Sequence, residues 1–211
     1  MKKLLLVSLL IIGLFANENM VKAIEHIQKQ EFKEARILLE QESKKGDAEA
    51  QYDLGVMYNK GYGVKQDYKK SREFWQKSAK QGFFMAQYNL GVIYALGQGV
   101  KQNYKKAIEL YQKSANQGYA LAQYNLGVMY AKGQGVKQDY KKAIELYQKS
   151  ADQGFADAQC NLGFMYDKGK GVKQDYKKAR ELYLKSANQG YAPAQYNLNI
   201  LCKKYPETCT Q

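Results

Sequence analysis

The sequence is poor in the residues that most metal and nucleophilic sites need. Its 211 residues include one histidine, His26, three cysteines and two prolines. A zinc site takes three or four ligands, drawn mainly from His and Cys, so we predict no metal site. The phosphate loop G-x-x-x-x-G-K-[ST] and the nucleophile elbow G-x-S-x-G are also missing. We therefore predict no cofactor and no catalytic residue.

Acidic residues are fewer than basic ones: the sequence has 33 Lys and Arg and 20 Asp and Glu, which gives a formal net charge of +13. A basic balance favours acidic partners or anionic surfaces. We interpret most lysines as solvated faces of helices, and the sequence has no nucleic-acid-binding motif. No nucleic-acid partner is therefore predicted, whereas an anionic component of a cell envelope remains open as a partner.

A single long apolar run stands at the N-terminus. It covers Leu4 to Phe15, follows the basic stretch Met1-Lys2-Lys3 and ends at Ala16. This order is typical of a secretory signal peptide, and twelve residues are too few to span a bilayer core about 30 Å thick. We expect residues 1–16 to be cleaved and the protein to be exported, to the periplasm or the medium of a bacterium. An uncleaved membrane anchor is the alternative.

Tyrosine and glycine are abundant, at 19 and 18 residues, and both recur at fixed spacing. The segment that begins at Ala50 reads Ala-Gln-Tyr-Asp-Leu-Gly-Val-Met-Tyr. Similar segments, 36 residues apart, begin at Ala86, Ala122 and Ala158, and a degenerate copy begins at Ala194. A second shared block lies between them, for example in residues 133–143. Because both blocks recur at the same 36-residue spacing, they predict a repeat protein.

Each repeat reads as two helices, which we name A and B. Helix A is predicted from about Ala48 to Asn59 and ends at the glycines of residues 61–63, since glycine adopts the left-handed backbone that closes a helix. Helix B is predicted to start at Asp67, whose carboxylate can cap the first amides. An apolar stripe at helical period marks its buried face. In one repeat the stripe contains Tyr104, Ala107, Tyr111 and Ala115.

The repeat pattern divides the chain into segments. Residues 17–46 are predicted to be a divergent N-terminal capping helix pair, with helices over residues 18–29 and 31–45. Residues 191–211 are predicted to be a C-terminal capping helix and tail, because stacked repeats need atypical ends. The four complete repeats between them are 47–82, 83–118, 119–154 and 155–190.

The pattern A-x-x-x-L-G-x-x-Y, then G-x-G-V, then D-Y-x-K-A, resembles Sel1-like repeats, which are related to tetratricopeptide repeats. The resemblance is strong over residues 47–202 and weak over 18–46. It implies an all-α fold, a right-handed α-solenoid of antiparallel helix pairs with 36-residue repeats. It also implies a scaffold or adaptor that binds a protein or peptide partner, and we expect a monomer.

Cysteine-rich exported Sel1-like proteins are described as binding or hydrolysing β-lactams, so the resemblance also implies a second class of function. Their cysteine pairs would fall at Ala79 and Gln87 and again at Ala115 and Gln123, where this sequence has no cysteine. The motifs S-x-x-K, S-D-N and K-T-G are absent too. A β-lactamase or penicillin-binding activity is therefore kept as the alternative, on family grounds alone.

The three cysteines receive different predictions. Cys202 and Cys209 flank Tyr205-Pro206, a predicted turn after the last helix, and export permits disulfides, so we predict a bridge between them. Cys160 takes the place of a repeated tyrosine and is predicted to be a small buried thiol.

The candidate binding surface is the face of helix A opposite Ala86, Leu90 and Tyr94. Asparagine recurs there although it is a poor residue for a helix interior, and its amide can bond to an extended peptide backbone. Two alternatives stay open: each asparagine bonds to a neighbouring helix of the stack, and the neighbouring Tyr and Val are core between repeats. The candidate residues are Asn89, Asn125, Asn161, Asn197, Tyr88, Tyr124, Val92 and Val128.

Overall fold

The computed structural model describes residues 17–209, so the predicted signal peptide of residues 1–16 lies outside the described residues. Between 17 and 209 the chain forms eleven α-helices and a short 3-10 helix, and no strand. The helices are α1 Glu18–Gln28, α2 Phe32–Lys44, α3 Ala48–Lys60, α4 Tyr68–Lys80, α5 Phe84–Leu96, α6 Tyr104–Asn116, α7 Ala120–Lys132, α8 Tyr140–Asp152, α9 Ala156–Lys168, α10 Tyr176–Ala187, α11 Ala192–Lys204 and the 3-10 helix Pro206–Thr208.

Odd-numbered helices are the A helices and even-numbered helices the B helices. Most contain 13 residues, which corresponds to a length of roughly 20 Å. Within residues 17–209, none of them combines the length and the apolar character that crossing a membrane requires.

The helix ends lie where the sequence predicts them. In each complete repeat an Asp or Asn side chain caps the B helix by accepting a hydrogen bond from the third backbone amide of that helix, and the four caps are Asp67, Asn103, Asp139 and Asp175. Helices α3, α7 and α9 end at glycines with left-handed backbone, Gly61, Gly133 and Gly169. Local chemistry therefore sets the ends of these helices.

A glutamine fixes the loop between helices A and B in every complete repeat. Its side-chain Nε2 donates to a backbone carbonyl near the end of helix A, at 2.7–2.8 Å, and closes the loop. The four pairs are Gln66 with Asn59, Gln102 with Ala95, Gln138 with Ala131 and Gln174 with Asp167. The loops are therefore held by the same contact as the chain passes from one helix to the next.

The described residues divide into two compact units, with the boundary between Ala86 and Gln87, and we describe the units separately. In the first unit, consecutive helices from α1 to α4 pack against one another. In the second unit, the same is true from α6 to α11. The paired-helix arrangement predicted from the repeats is therefore present in both units.

A glycine in the middle of each complete A helix allows the partner B helix to approach closely. A Cβ atom added at Gly91, Gly127 or Gly163 would lie 2.6, 2.8 or 3.0 Å from the ring of Tyr111, Tyr147 or Tyr183, respectively. In the first unit, a Cβ atom on Gly55 would lie 2.4 Å from the Trp75 ring. A side chain at any of these four glycines would collide with the ring, so the close approach of the two helices requires glycine there.

Buried glutamines join the A helices α3, α7 and α9 to the B helices on both sides. In the second unit, Gln153 Nε2 donates to Gln123 Oε1 at 2.8 Å, and Gln123 Nε2 donates to the Ala115 carbonyl at 3.3 Å. Gln189, Gln159 and Ala151 repeat this arrangement, and Gln81, Gln51 and Ser43 repeat it in the first unit. These polar bonds fix the register of neighbouring helices inside an apolar core.

The C-terminal turn covers the end of the second unit. A disulfide joins Cys202 and Cys209, whose Cα atoms are 5.6 Å apart. The Tyr205 ring stacks on Tyr176 with centroids 3.9 Å apart, and the two hydroxyls are 2.7 Å apart. The equivalent residue of the preceding repeat is Tyr140, and the loop glycine of the following repeat, Gly171, lies against it. The bridged turn therefore covers Tyr176 much as the next loop covers Tyr140.

Candidate functional site

The asparagines of the candidate A-helix face bond to the preceding repeat in the second unit. Asn125 on α7 donates from Nδ2 to the Tyr88 hydroxyl on α5 at 3.3 Å. Asn161 on α9 donates to the Tyr124 hydroxyl on α7 at 3.4 Å. Asn197 on α11 meets the Cys160 sulfur at 3.6 Å. The structural role that the sequence left open is thus present at three of the candidate asparagines.

The oxygen Oδ1 of each of these asparagine amides is a hydrogen-bond acceptor. Among the described residues, no hydrogen bond to Oδ1 of Asn125 or Asn161 is found, and both side chains are half-buried. Burial raises the pKa of Tyr88, and the hydrogen bond from Asn125 opposes this by a smaller amount. The tyrosine therefore stays neutral at physiological pH. Burial also raises the pKa of Tyr111 and Tyr147, and hydrogen bonds from Asn125 and Asn161 oppose this rise. Each amide thus lies between two tyrosine hydroxyls, which hold it in one orientation.

The tyrosines and valines of the candidate set pack between repeats. The Tyr88 ring contacts Tyr111 and Tyr119, with centroids 5.8 and 5.2 Å apart. Tyr124 makes the equivalent contacts with Tyr147 and Phe155, at 5.9 and 5.1 Å. Val92 is partly buried against the hydrophobic cluster that contains Tyr111, and Val128 against the cluster that contains Tyr147. These four side chains contribute to the core, and their role in binding stays a prediction.

Apolar side chains on the same face become accessible towards the end of the second unit. Phe164 on α9 and Ile200 on α11 stand at the position of Val92 and Val128, and they are 37% and 45% exposed. Tyr196 stands at the position of Tyr88 and Tyr124 and is 67% exposed. The A-helix face therefore offers open apolar contacts on α9 and α11.

The first A helix of the complete repeats carries Asp53 where the later ones carry asparagine. This side chain is half-buried in the first unit. Burial raises the pKa of Asp53 to about 8, and the nearby carboxylates of Glu49 and Asp47 add to the shift. At neutral pH the carboxyl is therefore mostly protonated and, like an amide, uncharged.

The serines that could have served as nucleophiles take part in helix packing. Ser78, Ser150 and Ser186 each donate to the first carbonyl of the partner A helix, at 2.6–2.8 Å. Cys160 is buried as predicted, and burial raises the pKa of its thiol. Across residues 17–209, no three His, Cys, Asp or Glu side chains are placed to hold a metal ion. The β-lactam alternative gains no supporting contact from this geometry and stays a prediction.

Sequence reasoning missed one feature, a basic cleft in the first unit lined by Arg36, Lys65 and Lys70. Arg36 lies in the divergent capping pair, where the repeat pattern is weakest. The residue type at position 36 carries no signal by itself, since the equivalent residues of the later B helices are Arg72, Ile108, Ile144 and Arg180.

Comparison with known families and structures agrees with this architecture. The Sel1 repeat model matches residues 48–83, 84–119, 120–155 and 156–191. A Sel1 repeat protein from Oxalobacter formigenes is 32% identical with a TM-score of 0.82, and the alignment covers 87% of this chain and 73% of that one. No curated protein matches the sequence.

Two further solved structures are similar. The first is c5321, a protective antigen present in uropathogenic Escherichia coli strains and displaying an SLR fold, with 36% identity and a TM-score of 0.78. That alignment covers 82% of this chain but 37% of c5321, so this chain spans just over a third of its length. The second is Helicobacter pylori cysteine rich protein B, with 25% identity, a TM-score of 0.50, and coverage of 64% of this chain and 97% of that one.

The chain belongs to the Sel1 repeat family, whose members commonly act as protein-interaction scaffolds. The fold class predicted from the sequence, an α-solenoid of helix pairs with 36-residue repeats, is confirmed.

Proposed function

We propose that this protein is an exported scaffold that binds an extended peptide segment of a partner protein along the A-helix face of its second unit. The observation that carries the proposal is the pair of amide oxygens on Asn125 and Asn161. They stand at the same position on two successive A helices, and no bond to either oxygen is found among the described residues. Export is supported by the basic, apolar and small-residue order of residues 1–16.

Such amides are suited to a peptide backbone because they are already oriented. The tyrosine hydroxyl of the preceding repeat holds Nδ2, so little side-chain entropy is lost when a peptide N–H donates to Oδ1. One neutral hydrogen bond contributes about 0.5–1.5 kcal/mol net, which gives affinity without sequence specificity. Phe164, Tyr196 and Ile200 would add apolar contacts that select side chains of the partner.

The test uses residues 17–211 and a displayed library of random peptides, since the partner is unidentified. Peptides enriched on this protein are measured by fluorescence polarisation against the double variant Asn125→Ala/Asn161→Ala. We expect affinity to fall roughly tenfold, because two hydrogen bonds are lost. Circular dichroism must show that the variant keeps its helix content.

The matched control is Tyr88→Phe/Tyr124→Phe, which removes one tyrosine hydroxyl beside each amide. It leaves both amide oxygens and the hydroxyls of Tyr111 and Tyr147, which still hold the amides. We expect this variant to keep most of its affinity. If the two double variants lose affinity equally, the asparagines act only through packing and the proposal is wrong. Equal affinity of all three proteins would also exclude the amide oxygens as the binding groups.

A further inference from the structure

A cleft of about 520 Å³ opens in the first unit, where α2 meets the loop between α3 and α4. Three cationic side chains from different segments line it: Arg36 from α2, Lys65 from the loop and Lys70 from α4. The ammonium of Lys70 lies 5.2 Å from the centre of the Tyr58 ring, which also lines the cleft. Positive charge from three chain segments thus converges on one concave surface.

The carboxylates near the cleft are already engaged. Asp67 accepts a hydrogen bond from the Lys70 backbone amide at 2.9 Å and so caps α4. Glu40 accepts from Arg36 Nη1 at 2.9 Å. Asp67 also lines the cleft and keeps its charge, so the lining carries three cationic side chains and one carboxylate.

Arg36 keeps an unused donor. Its Nε is buried and has no hydrogen-bond partner in the described part of the chain, although the side chain as a whole is one-third exposed. A buried donor without a partner costs about 1–3 kcal/mol, so nearly all such groups in proteins are paired. Nε and Nη2 form one edge of the guanidinium, which can hold two oxygens of an oxyanion. Because Nε is buried, the Arg36 side chain must turn before this edge meets a ligand in the cleft.

The later repeats show that packing does not require an arginine at this position. Ile108 and Ile144 are the equivalent residues of α6 and α8, and both pack against hydrophobic clusters of the second unit. Arginine recurs at Arg72 and Arg180, so both residue types are compatible with the repeat. The guanidinium at position 36 is therefore available for a role other than packing.

We propose that this cleft binds a phosphate group, either free inorganic phosphate or the monoester of a small sugar. A phosphate carries more than one negative charge near pH 7 and has several acceptor oxygens, which suits one guanidinium edge and two ammonium groups. The site lies in the first unit, whereas the asparagines of the proposed peptide surface belong to the second, and it does not depend on that function.

The test titrates inorganic phosphate into ¹⁵N-labelled residues 17–211 at constant ionic strength and follows the amide signals of Gly63 and Val64, which line the cleft. We expect a saturable shift at millimolar phosphate. Arg36→Ile, which copies the residue of the later repeats, should weaken binding at least tenfold. A titration with glucose 6-phosphate shows which of the two ligands the cleft prefers. Tighter binding than inorganic phosphate favours a monoester, and weaker binding favours the free ion.

Lys137→Gln is the matched control, since Lys137 is the equivalent of Lys65 in the second unit. It removes the same charge and should leave phosphate binding unchanged, whereas Lys65→Gln should weaken binding several-fold. Absence of a saturable shift, or an equal loss in Lys137→Gln and Lys65→Gln, would overturn the proposal. Asn125→Ala/Asn161→Ala should bind phosphate normally, so failure of the peptide proposal would leave this one standing.

Discussion

At the scale of single residues, a departure from the repeat pattern shows what a position requires. Four A helices carry asparagine at the position where α3 carries Asp53. A half-buried site that tolerates an amide disfavours a carboxylate, because burial and the neighbouring acids Glu49 and Asp47 oppose its charge. The protein therefore keeps a titratable group in a position built for a neutral one.

Asp53 makes the stability of the first unit depend on pH. Its pKa is about 8 in the folded chain against 3.8 in an unperturbed one. Between these values the folded state binds more protons, so stability falls as pH rises from about 4 to about 8. We expect Asp53→Asn to raise the free energy of unfolding by about 1–2 kcal/mol at pH 8, a discounted figure because the side chain is only half-buried.

Urea unfolding of the natural protein and Asp53→Asn at pH 5, 6.5 and 8 checks this expectation. The difference between the two proteins should grow from pH 5 to pH 8, since over this range the carboxyl of Asp53 keeps its proton only in the folded state, whereas asparagine has no proton to lose. A constant difference across the pH range would show that the carboxyl titrates normally in the folded chain.

At the scale of helices, the sequence predicted the elements but not their polar contacts. Caps such as Asp67 and glycines such as Gly61 act on the adjacent backbone, so the helix ends could be read from spacing. The bond between Asn125 and Tyr88 could not, because it depends on how far one repeat is rotated against the next. The cleft at Arg36 could not be predicted for a related reason, since the residues that line it with Arg36 belong to the following helix pair.

Two serines of α4 differ in what they contribute to packing against α3. Ser78 donates to the Ala48 carbonyl at 2.6 Å, whereas the buried Ser71 hydroxyl has no partner in the described structure. All other B helices carry alanine at the position of Ser71. We expect Ser78→Ala to destabilise the protein by about 1–2 kcal/mol and Ser71→Ala to be neutral or stabilising by up to about 1 kcal/mol.

The two variants serve as controls for each other, because each removes one hydroxyl from the same helix. Thermal unfolding followed by circular dichroism should separate them by several degrees. Equal destabilisation would mean that Ser71 has a partner in solution, such as an ordered water molecule, and that the contrast between the two sites is wrong.

At the scale of the whole molecule, the hydrogen bonds that join helices lie within one helix pair or between adjacent pairs. Ser150 with Ala120 and Gln153 with Gln123 join the two helices of one repeat, 30 residues apart. Asn161 with Tyr124 joins neighbouring repeats, 37 residues apart. Each repeat thus contacts its neighbours, and stability is expected to be a sum over neighbouring pairs. Sequence identity between repeats then matters, because one repeat can replace another in the same contacts.

Removal of one whole repeat from the second unit tests this additivity. Deletion of residues 120–155 joins Tyr119 to Ala156 and places Asn161 opposite Tyr88, the partner that Asn125 has in the natural chain. We expect unchanged helix content per residue and a melting temperature lower by several degrees, since one set of contacts is lost and 1 kcal/mol corresponds to about 2–4 °C at this size. Deletion of residues 120–137 removes α7 and its loop but leaves α8 without its partner helix. If both deletions melt alike, the repeats are not interchangeable units, and stability depends on contacts beyond nearest neighbours.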